Sequence, residues 1–398
     1  MSTSERNPSP AVMRGVDEHR PEVSGGAHFA ALDGYRALAA FMVVVTHVAY
    51  STGMVVSGTV GHILGRFDFG VPLFFLMSGF LLYRPWVRAA IEGRSRPRHG
   101  RYALRRAARI LPLYWLVVAV TLRFLPEIQP VPAGQWWRHL LALQIYQPGG
   151  AAEGLSQTWS LCTEITFYIA LPFLGMLALG RKQRSAAATM RRQAALLAAM
   201  VVVALVYNTV KVTTDVLPFL SGYWLPAYLD WFAAGMALAL IEVRSRQPRP
   251  PALVRFAVAA GRDQVTSLVI ALALFAVVIT PIGGSYDFTP TGAWETMIKH
   301  WLYLGAAFFL LLPAIVGERG GLAAQLSRSG PRRLGLISYG IFLWHLMLLR
   351  LLAPALGINY FSGGALVLLA VLVPVTVAIS AVTYRLVERP VQRWAHRF

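Results

Sequence analysis

An aspartate (Asp33), an arginine, a histidine and a glutamate interrupt stretches of this sequence that are otherwise apolar enough for a lipid bilayer. Arg36 and His47 occur in "LDGYRALAAFMVVVTHV", and Glu164 occurs in "SQTWSLCTEITFYIALPF". A charged side chain at the centre of a membrane helix costs about 2.5–3.5 kcal/mol on insertion scales. An imidazole oriented by a carboxylate can take a proton from a hydroxyl nucleophile. General-base catalysis would therefore explain why these residues are present in spite of their cost.

Arg36 and His47 are eleven residues apart, which corresponds to about three turns and about 16 Å along a helix. Both side chains are therefore predicted on one helix face, with the cation toward one end and the imidazole toward the other. The plainer alternatives are an arginine that snorkels to the helix end and a histidine that belongs to the core.

Glu164 is predicted about two turns inside its own span, in the same half of the bilayer as His47. A lone carboxylate in a membrane is either neutral or paired, so we predict that Glu164 hydrogen-bonds one imidazole nitrogen of His47. A purely structural pair between helices is one alternative. A two-histidine, one-carboxylate metal site with His345 is another, but the spacing offers no HExxH-type motif, and we predict no metal.

Three weaker polar positions could join such a site. Ser78 precedes Gly79 in "FFLMSGFLL", where a pair of small residues commonly serves close helix packing. The stretch "RRAARILPLYW" places three arginines at the mouth of a span. They are either a solvated loop or a site for an anionic ligand such as a nucleotide with phosphates. His345 in "SYGIFLWH" is predicted either to bridge helices or to take part in the site.

The elements that must position these residues are membrane helices. Of the 398 residues, 56% are hydrophobic and 14% are charged, and the mean hydropathy is +0.53, whereas a soluble domain is about 25% charged. The apolar stretches do not alternate as barrel strands do, and they approach the ~20 residues that a spanning helix needs. The sequence therefore predicts an all-α, polytopic membrane helix bundle in the lipid bilayer, with about ten transmembrane helices. The predicted spans are residues 31–51, 70–90, 108–126, 158–180, 194–211, 225–243, 265–283, 299–317, 334–353 and 363–386.

The distribution of basic residues predicts the orientation of these spans. Cytoplasmic loops are rich in Lys and Arg, and with ten spans 30 of the 37 Lys and Arg residues fall on one side. We therefore predict a multi-pass protein of the plasma (inner) membrane with both termini in the cytoplasm. The net charge of +19 is explained by these loops, so no nucleic-acid partner is predicted.

The chain is predicted to comprise a disordered cytoplasmic tail over residues 1–28 and one transmembrane domain over residues 29–398. The tail lacks the pattern of a signal peptide. Residues 136–146 are apolar but too few to cross, so this segment is predicted to be interfacial or re-entrant. The one cysteine, Cys162, excludes an internal disulfide and a cysteine-based metal cluster.

Six stretches, taken in order, resemble the successive motifs of the integral-membrane acyltransferase family 3. They read "LDGYRALAAFMVVVTH", "FFLMSGFLL", "RRAARILPLYWL", "QTWSLCTEITFYIALP", "ISYGIFLWH" and "LVERP", and they extend over about residues 30–395. The family comprises bacterial O-acyltransferases that modify surface polysaccharides, lipooligosaccharides and some macrolides. Tyr35 and Ala37 depart from the usual first motif, which reads more like "LDGLRG", without altering its charged residues.

The resemblance implies a reaction and a set of substrates. Acyl-CoA, expected to be acetyl-CoA, would be a co-substrate, and no cofactor would be permanently bound. The acceptor would be a hydroxyl of a glycan, a glycolipid or a glycosylated small molecule. The family's arginine and histidine fall on Arg36 and His47, and its tryptophan–serine and glutamate fall on Trp159, Ser160 and Glu164.

The resemblance also assigns the remaining candidates. The family's basic motif falls on Arg105, Arg106 and Arg109, which would hold the anionic donor at the cytoplasmic mouth. Many polysaccharide-modifying members carry an appended hydrolase-like domain, and without one direct transfer to the acceptor is expected. The candidates for contact with the acceptor or with the developing oxyanion are Ser78, Trp159, Ser160 and His345.

Two other classes of function compete with the enzyme. Intramembrane charges also mark transport paths, so a transporter or flippase for a glycan or lipid-linked substrate is the main alternative. Against it, the sequence shows neither repeated halves nor matched broken helices. A membrane sensor is the third class, and it is disfavoured because no signalling domain is recognisable.

Overall fold

The computed structural model describes residues 29–180, 186–286, 292–317 and 320–398. The predicted disordered tail, residues 1–28, lies outside these ranges. The described residues are 82% helical and contain no strand. The α-helices are α1 (Ala30–Ser51), α2 (Gly58–Gly65), α3 (Gly70–Ile91), α4 (His99–Phe124), α5 (Ala133–Leu140), α6 (Trp159–Leu179), α7 (Ala186–Thr213), α8 (Leu229–Ser245), α9 (Ala252–Arg262), α10 (Gln264–Ile279), α11 (Ala293–Val316), α12 (Gly321–Leu326), α13 (Ser329–Ala355), α14 (Ala365–Thr383) and α15 (Arg389–Ala395).

The predicted membrane bundle is confirmed. Within the described ranges, nine helical stretches are long and apolar enough to cross a bilayer, and each coincides with a predicted span. The predicted span at residues 265–283 corresponds to α9 and α10, which are bent by 89° and count as a tenth span if taken together. Asp263 lies at the bend and caps α10 by accepting a hydrogen bond of 3.0 Å from the Thr266 backbone N–H. The protein is therefore a multi-pass membrane protein.

Glycines let the central helices approach closely. A Cβ on Gly79 of α3 would lie 2.4 Å from a backbone oxygen of α8, and a Cβ on Gly235 of α8 would lie 2.0 Å from one of α3. A Cβ on Gly335 of α13 would likewise lie 2.0 Å from the Asp33 carbonyl of α1. In lipid, where apolar burial alone does not favour helix association, such close backbone contact stabilises packing. These contacts join α3 to α8 and α1 to α13. Helices α1, α3 and α13 carry Arg36, Ser78 and His345, respectively.

The segment between α4 and α6 folds back on the bundle without crossing it. Helix α5 has only eight residues, far fewer than the ~20 that a span requires. Trp115 of α4 donates a hydrogen bond of 2.9 Å to the Leu140 carbonyl. Trp224, which precedes α8, donates one of 2.8 Å to the Ile145 carbonyl. The segment covers the end of the bundle opposite the basic loops, which we call the outer side; the side with the basic loops is the inner side.

Candidate active site

A polar cavity of about 90 Å³ opens among five helices in the inner part of the bundle. We call it the inner cavity. Four of these helices contribute residues three or four positions apart, because such positions share one helix face, and α1 contributes Arg36. On α6 the polar members are Ser160, Glu164 and Tyr168. The lining includes Arg36, Phe74, Phe75, Ser78, Arg106, Arg109, Ser160, Glu164, Tyr168, Ser338, Tyr339 and Phe342.

Glu164 is held by a hydroxyl inside this cavity. Ser78 of α3 donates a short hydrogen bond to the Glu164 carboxylate, and the Tyr168 hydroxyl lies 3.4 Å from Ser78 Oγ. Ser78 therefore contacts the carboxylate, while the neighbouring Gly79 makes the close helix contact. The two interpretations of the Ser–Gly pair thus apply to different residues of the pair.

The predicted hydrogen bond between Glu164 and His47 is wrong. Glu164 shares the inner cavity with Arg36, and its carboxylate contacts Ser78 instead. His47 lies about three turns further along α1 than Arg36 and is not among the residues that line the cavity. Equal depth from the helix ends did not bring the two side chains together, because each helix has its own tilt and its own facing direction.

His47 pairs with His345 instead. His47 Nδ1 lies 3.3 Å from His345 Nε2, and the ring centroids are 5.0 Å apart. His47 Nδ1 also lies 2.7 Å from the Val43 carbonyl oxygen, and His345 Nδ1 lies 3.2 Å from the Ile341 carbonyl oxygen. A carbonyl can only accept a hydrogen bond, so these contacts assign the proton of each neutral ring to Nδ1.

This tautomer gives the two rings different capacities. The single Nδ1–H of His47 is donated to the Val43 carbonyl at 2.7 Å, so the 3.3 Å contact with His345 Nε2 is the weaker arm of a three-centre hydrogen bond. The His345 side chain is fully buried. His47 is only partly buried, and its Nε2 keeps a free lone pair among the contacts of the described residues. His47 Nε2 can therefore accept a proton from a hydroxyl, the chemistry predicted for it, with the Val43 carbonyl rather than Glu164 orienting the ring.

An aromatic wall separates the histidine pair from the inner cavity. Phe74 and Phe342 line the cavity, and their ring centroids are 6.0 Å apart. The Phe342 ring lies 6.2 Å from that of His345. The histidines thus lie directly behind the cavity wall. Within the described ranges His47, His345 and Glu164 do not gather into a set of three metal-ligating side chains, so the metal alternative finds no support in the geometry.

The three predicted arginines differ in position. Arg106 and Arg109 line the inner cavity, whereas Arg105 does not. Arg109 Nη1 lies 3.5 Å from Glu388, in the "LVERP" stretch. The pKa of His396, which follows α15, is lowered. The largest cause is partial burial, and the positive charges of Arg105 and Arg106 add to it. The inner mouth of the cavity is therefore a region of concentrated positive charge.

A second cavity, of about 510 Å³, opens at the outer side of the bundle. We call it the outer vestibule. Trp159 lines it, whereas the next residue, Ser160, lines the inner cavity. The Trp159 ring lies 6.3 Å from the ring of Phe75, edge to face, so this pair separates the two cavities. Its lining includes Asp68, Trp159, Lys211, Tyr223, Tyr228, Trp231, Lys299, His300 and Tyr303.

Several of these polar residues were missed in the sequence. Tyr168 follows Glu164 by one helical turn, and that spacing alone could have placed it on the same face. Asp68 lies 231 residues before Lys299 and its neighbour His300, and no local pattern joins Asp68 to them. They meet only because α3 and α11 begin at the same end of the bundle.

Comparison with known proteins gives one consistent result. Residues 29–385 match the profile of the acyltransferase domain of acyltransferase family 3. The exopolysaccharide production protein ExoZ of Rhizobium meliloti is 28% identical over 81% of this chain and 89% of its own length. The peptidoglycan O-acetyltransferase OatA of Listeria monocytogenes is 22% identical over 91% of this chain and 55% of its own length.

A putative peptidoglycan O-acetyltransferase of Bacillus subtilis, YrhL, is 24% identical over 92% of this chain. The chain spans 55% of the length of each of the two peptidoglycan O-acetyltransferases. No solved structure matches the chain. The match to the family extends over all five helices that line the inner cavity. The chain belongs to acyltransferase family 3 and is a membrane acyltransferase.

Proposed function

We propose that this enzyme moves an acetyl group from acetyl-CoA to a hydroxyl of a sugar-containing acceptor. The observation that carries the proposal is the inner cavity, in which Arg36, Arg106 and Arg109 converge on one polar space inside an apolar bundle. Two relatives, an exopolysaccharide production protein and a peptidoglycan O-acetyltransferase, support a glycan as the acceptor. Acyl-CoA is a co-substrate in this proposal, and no resident cofactor is required.

The arginines are proposed to hold the phosphates of the donor. Guanidinium groups bind phosphate oxygens through paired, charge-assisted hydrogen bonds. Arg36 is tied to Asp33 at 3.2 Å and Arg109 to Glu388 at 3.5 Å. A cavity of about 90 Å³ has room for a short acyl group and part of the pantetheine arm. The nucleotide would therefore remain at the mouth, on the side that we propose to be cytoplasmic.

His47 is proposed as the general base. Its Nε2 takes the proton of the acceptor hydroxyl while the hydroxyl oxygen attacks the thioester carbonyl carbon. The carbon–sulfur bond then breaks, the CoA thiolate leaves and takes up a proton, and an ester remains on the acceptor. Because His345 lies directly behind Phe342, the approach of the thioester to His47 requires these aromatic side chains to move.

Glu164 is proposed to act on the donor side of the reaction. Its carboxylate fixes the Ser78 hydroxyl and offsets part of the positive charge of the cavity. Ser78 and Tyr168 are then the hydroxyls nearest the thioester. Ser78 remains the candidate for contact with the oxyanion, which requires its O–H to turn from Glu164 toward the developing charge. The predicted role of Glu164 in orienting His47 is abandoned.

Acyl transfer by the purified protein tests this proposal. The protein is incubated with acetyl-CoA labelled in its acetyl group and with a panel of methyl glycosides, and products are identified by mass spectrometry. The expected product is an acetyl ester of a glycoside, formed by the wild type and not by His47→Ala. Uptake of glycosides into sealed vesicles without acetylation would instead identify a transporter and contradict the proposal.

A further inference from the structure

We propose that the outer vestibule binds the sugar ring of the acceptor, with Trp159, Tyr223 and Tyr228 as its stacking surface. The hydrogen-bonding partners of the sugar are the indole N–H of Trp231 and the Asp68–Lys299 pair. This inference rests on the proposed function, because it assigns the acceptor site of that reaction.

The aromatic rings of the vestibule form a continuous strip. The Trp159 ring lies 4.9 Å from Tyr223 and 5.4 Å from Tyr228, with interplanar angles of 35° and 34°. All three side chains are partly exposed. One face of a pyranose ring presents C–H groups, which are attracted to the electron-rich face of an aromatic ring. Such a strip is therefore suited to a sugar rather than to a small ion.

Trp231 supplies a buried donor that lacks a hydrogen-bond partner in the described ranges. Its side chain is 5% exposed and lines the vestibule. Its Nε1–H makes no hydrogen bond with the described residues, although a buried indole N–H usually finds an acceptor. The ring is fixed by His300, which stacks on it at 4.6 Å and is held in turn by the buried carboxylate of Asp230 at 2.6 Å. A hydroxyl or ring oxygen of a bound sugar would satisfy the donor.

The Asp68–Lys299 pair supplies both kinds of hydrogen-bonding group. Lys299 Nζ lies 2.7 Å from Asp68 Oδ2, and the two side chains are 23% and 40% exposed. The Tyr303 hydroxyl lies within hydrogen-bond distance of both the Asp68 carboxylate and the Arg66 carbonyl, and its one proton is donated to either, which fixes the position of the pair. The ammonium and the carboxylate each keep unused hydrogen-bonding capacity. A vicinal diol of a sugar, which both donates and accepts, matches such a pair.

The size and place of the vestibule agree with this occupant. Its volume of about 510 Å³ lies within the ~300–1,000 Å³ of typical ligand pockets. Asp68, Tyr228 and Lys299 lie at or near the helix ends away from the basic loops. Trp159 is also one half of the pair that separates the vestibule from the inner cavity. A sugar stacked on Trp159 would therefore lie next to the donor-side space.

Binding of simple glycosides in the absence of donor tests the inference. The protein is placed in lipid nanodiscs, because a maltoside detergent would itself compete for the site. Methyl β-D-glucopyranoside and its 2-acetamido analogue are titrated by saturation-transfer NMR and tryptophan fluorescence, with glycerol as a polyol that lacks a ring. The wild type is expected to bind at least one glycoside saturably and glycerol not at all.

Matched variants locate the binding. Tyr228→Ala is expected to weaken binding about two- to twelvefold, the range for one aromatic contact, while Tyr228→Phe keeps the ring and the affinity. Trp231→Phe and Lys299→Met test the polar contacts with little loss of packing. Trp294→Ala is the control, since Trp294 is 79% exposed at the same end of α11 and does not line the vestibule. Absence of saturable binding by the wild type, or equal binding by Tyr228→Ala and the wild type, would overturn the inference.

Acyl-transfer assays separate this inference from the proposed function. If the wild type acetylates a glycoside while Tyr228→Ala and Trp231→Phe keep the wild-type KM for that glycoside, the vestibule assignment is wrong and the function stands. If the wild type binds glycosides but transfers no acetyl group to them, the function is wrong and the sugar site stands.

Discussion

The inner cavity and the outer vestibule lie on opposite sides of the Phe75–Trp159 pair and differ in chemistry. The inner cavity gathers three arginines around one carboxylate and a few hydroxyls. The outer vestibule gathers aromatic rings, and two of its basic side chains, Lys299 and His300, are already paired with carboxylates. An excess of guanidinium groups suits a polyanion, whereas rings beside paired charges suit a neutral polar ligand. The contrast supports two substrate sites, one on each side.

The basic side chains of the two cavities also differ in whether they have a carboxylate partner. Arg36 and Arg109 each have a carboxylate partner, but Arg106 makes no ion pair with the described residues. Its charge is the one most available to a bound phosphate. In the vestibule Lys211 also lacks a carboxylate partner within the described residues, but its ammonium lies 6.0 Å from the ring centroid of Phe219, another lining residue.

Removal of the proposed general base should have the largest effect. His47→Ala is expected to slow acetyl transfer about 10²–10⁴-fold, the usual contribution of general-base catalysis. Donor binding should not change, because His47 lies outside the inner cavity. Both quantities are measured on the same purified variant, by product formation and by binding of acetyl-CoA.

His345 provides the comparison for that experiment. His345→Ala should lose less activity than His47→Ala, since the Val43 carbonyl still orients the His47 ring. Near-normal turnover of His47→Ala would remove His47 from the chemistry, and a parallel loss of donor binding would move it to the donor path.

The two adjacent arginines of α4 sharpen the contrast between the cavities. Arg106→Ala is expected to weaken acetyl-CoA binding about ten- to hundredfold, since a charge-assisted hydrogen bond contributes about 1.5–3 kcal/mol. Arg105→Ala should weaken it only slightly, because Arg105 acts from outside the cavity lining. Isothermal titration at low and high salt measures both. Equal losses of acetyl-CoA affinity in the two variants would indicate that the arginines attract the donor only through a general positive potential at the inner mouth.

Much of the fold could be predicted from the sequence, because the membrane imposes it. A bilayer requires long apolar helices, and hydropathy together with basic loops locates them. All ten predicted spans have counterparts in the structure. The counterpart of residues 265–283 is the bent pair α9–α10, which counts as a span only if the two helices are taken together. The break at Asp263 escaped prediction because a two-helix bend depends on a cap rather than on hydropathy.

The site could be predicted only where its members share one helix. Helical spacing places Arg36 toward the inner end of α1. It also places Ser160 and Glu164 on one face of α6. The partners across helices do not follow from it: His47 meets His345 rather than Glu164, and Glu164 meets Ser78. Helix tilt and rotation, which are set by contacts such as that of Gly335 with α1, decide these pairs.

Loss of the Ser78 hydroxyl should have the smallest of these effects. Ser78→Ala is expected to lower kcat about two- to twelvefold, the range for one neutral hydrogen bond, with the KM for acetyl-CoA unchanged. Ser338→Ala is the matched control, because Ser338 also lines the inner cavity but hydrogen-bonds within its own helix, to the Gly335 carbonyl. If the two variants behave alike, the Ser78–Glu164 contact has only a structural role.

Transfer across a sealed membrane tests most directly the claim that donor and acceptor bind on opposite sides. The protein is reconstituted in vesicles, and its orientation is established by labelling a cysteine introduced at Gly150, on the predicted outer side. The native Cys162 is buried and gives little background. Labelled acetyl-CoA and a methyl glycoside are then supplied on the same side or on opposite sides. The account predicts acetylation only when acetyl-CoA is on the basic-loop side and the glycoside is on the other, and equal acetylation with both on one side would contradict it.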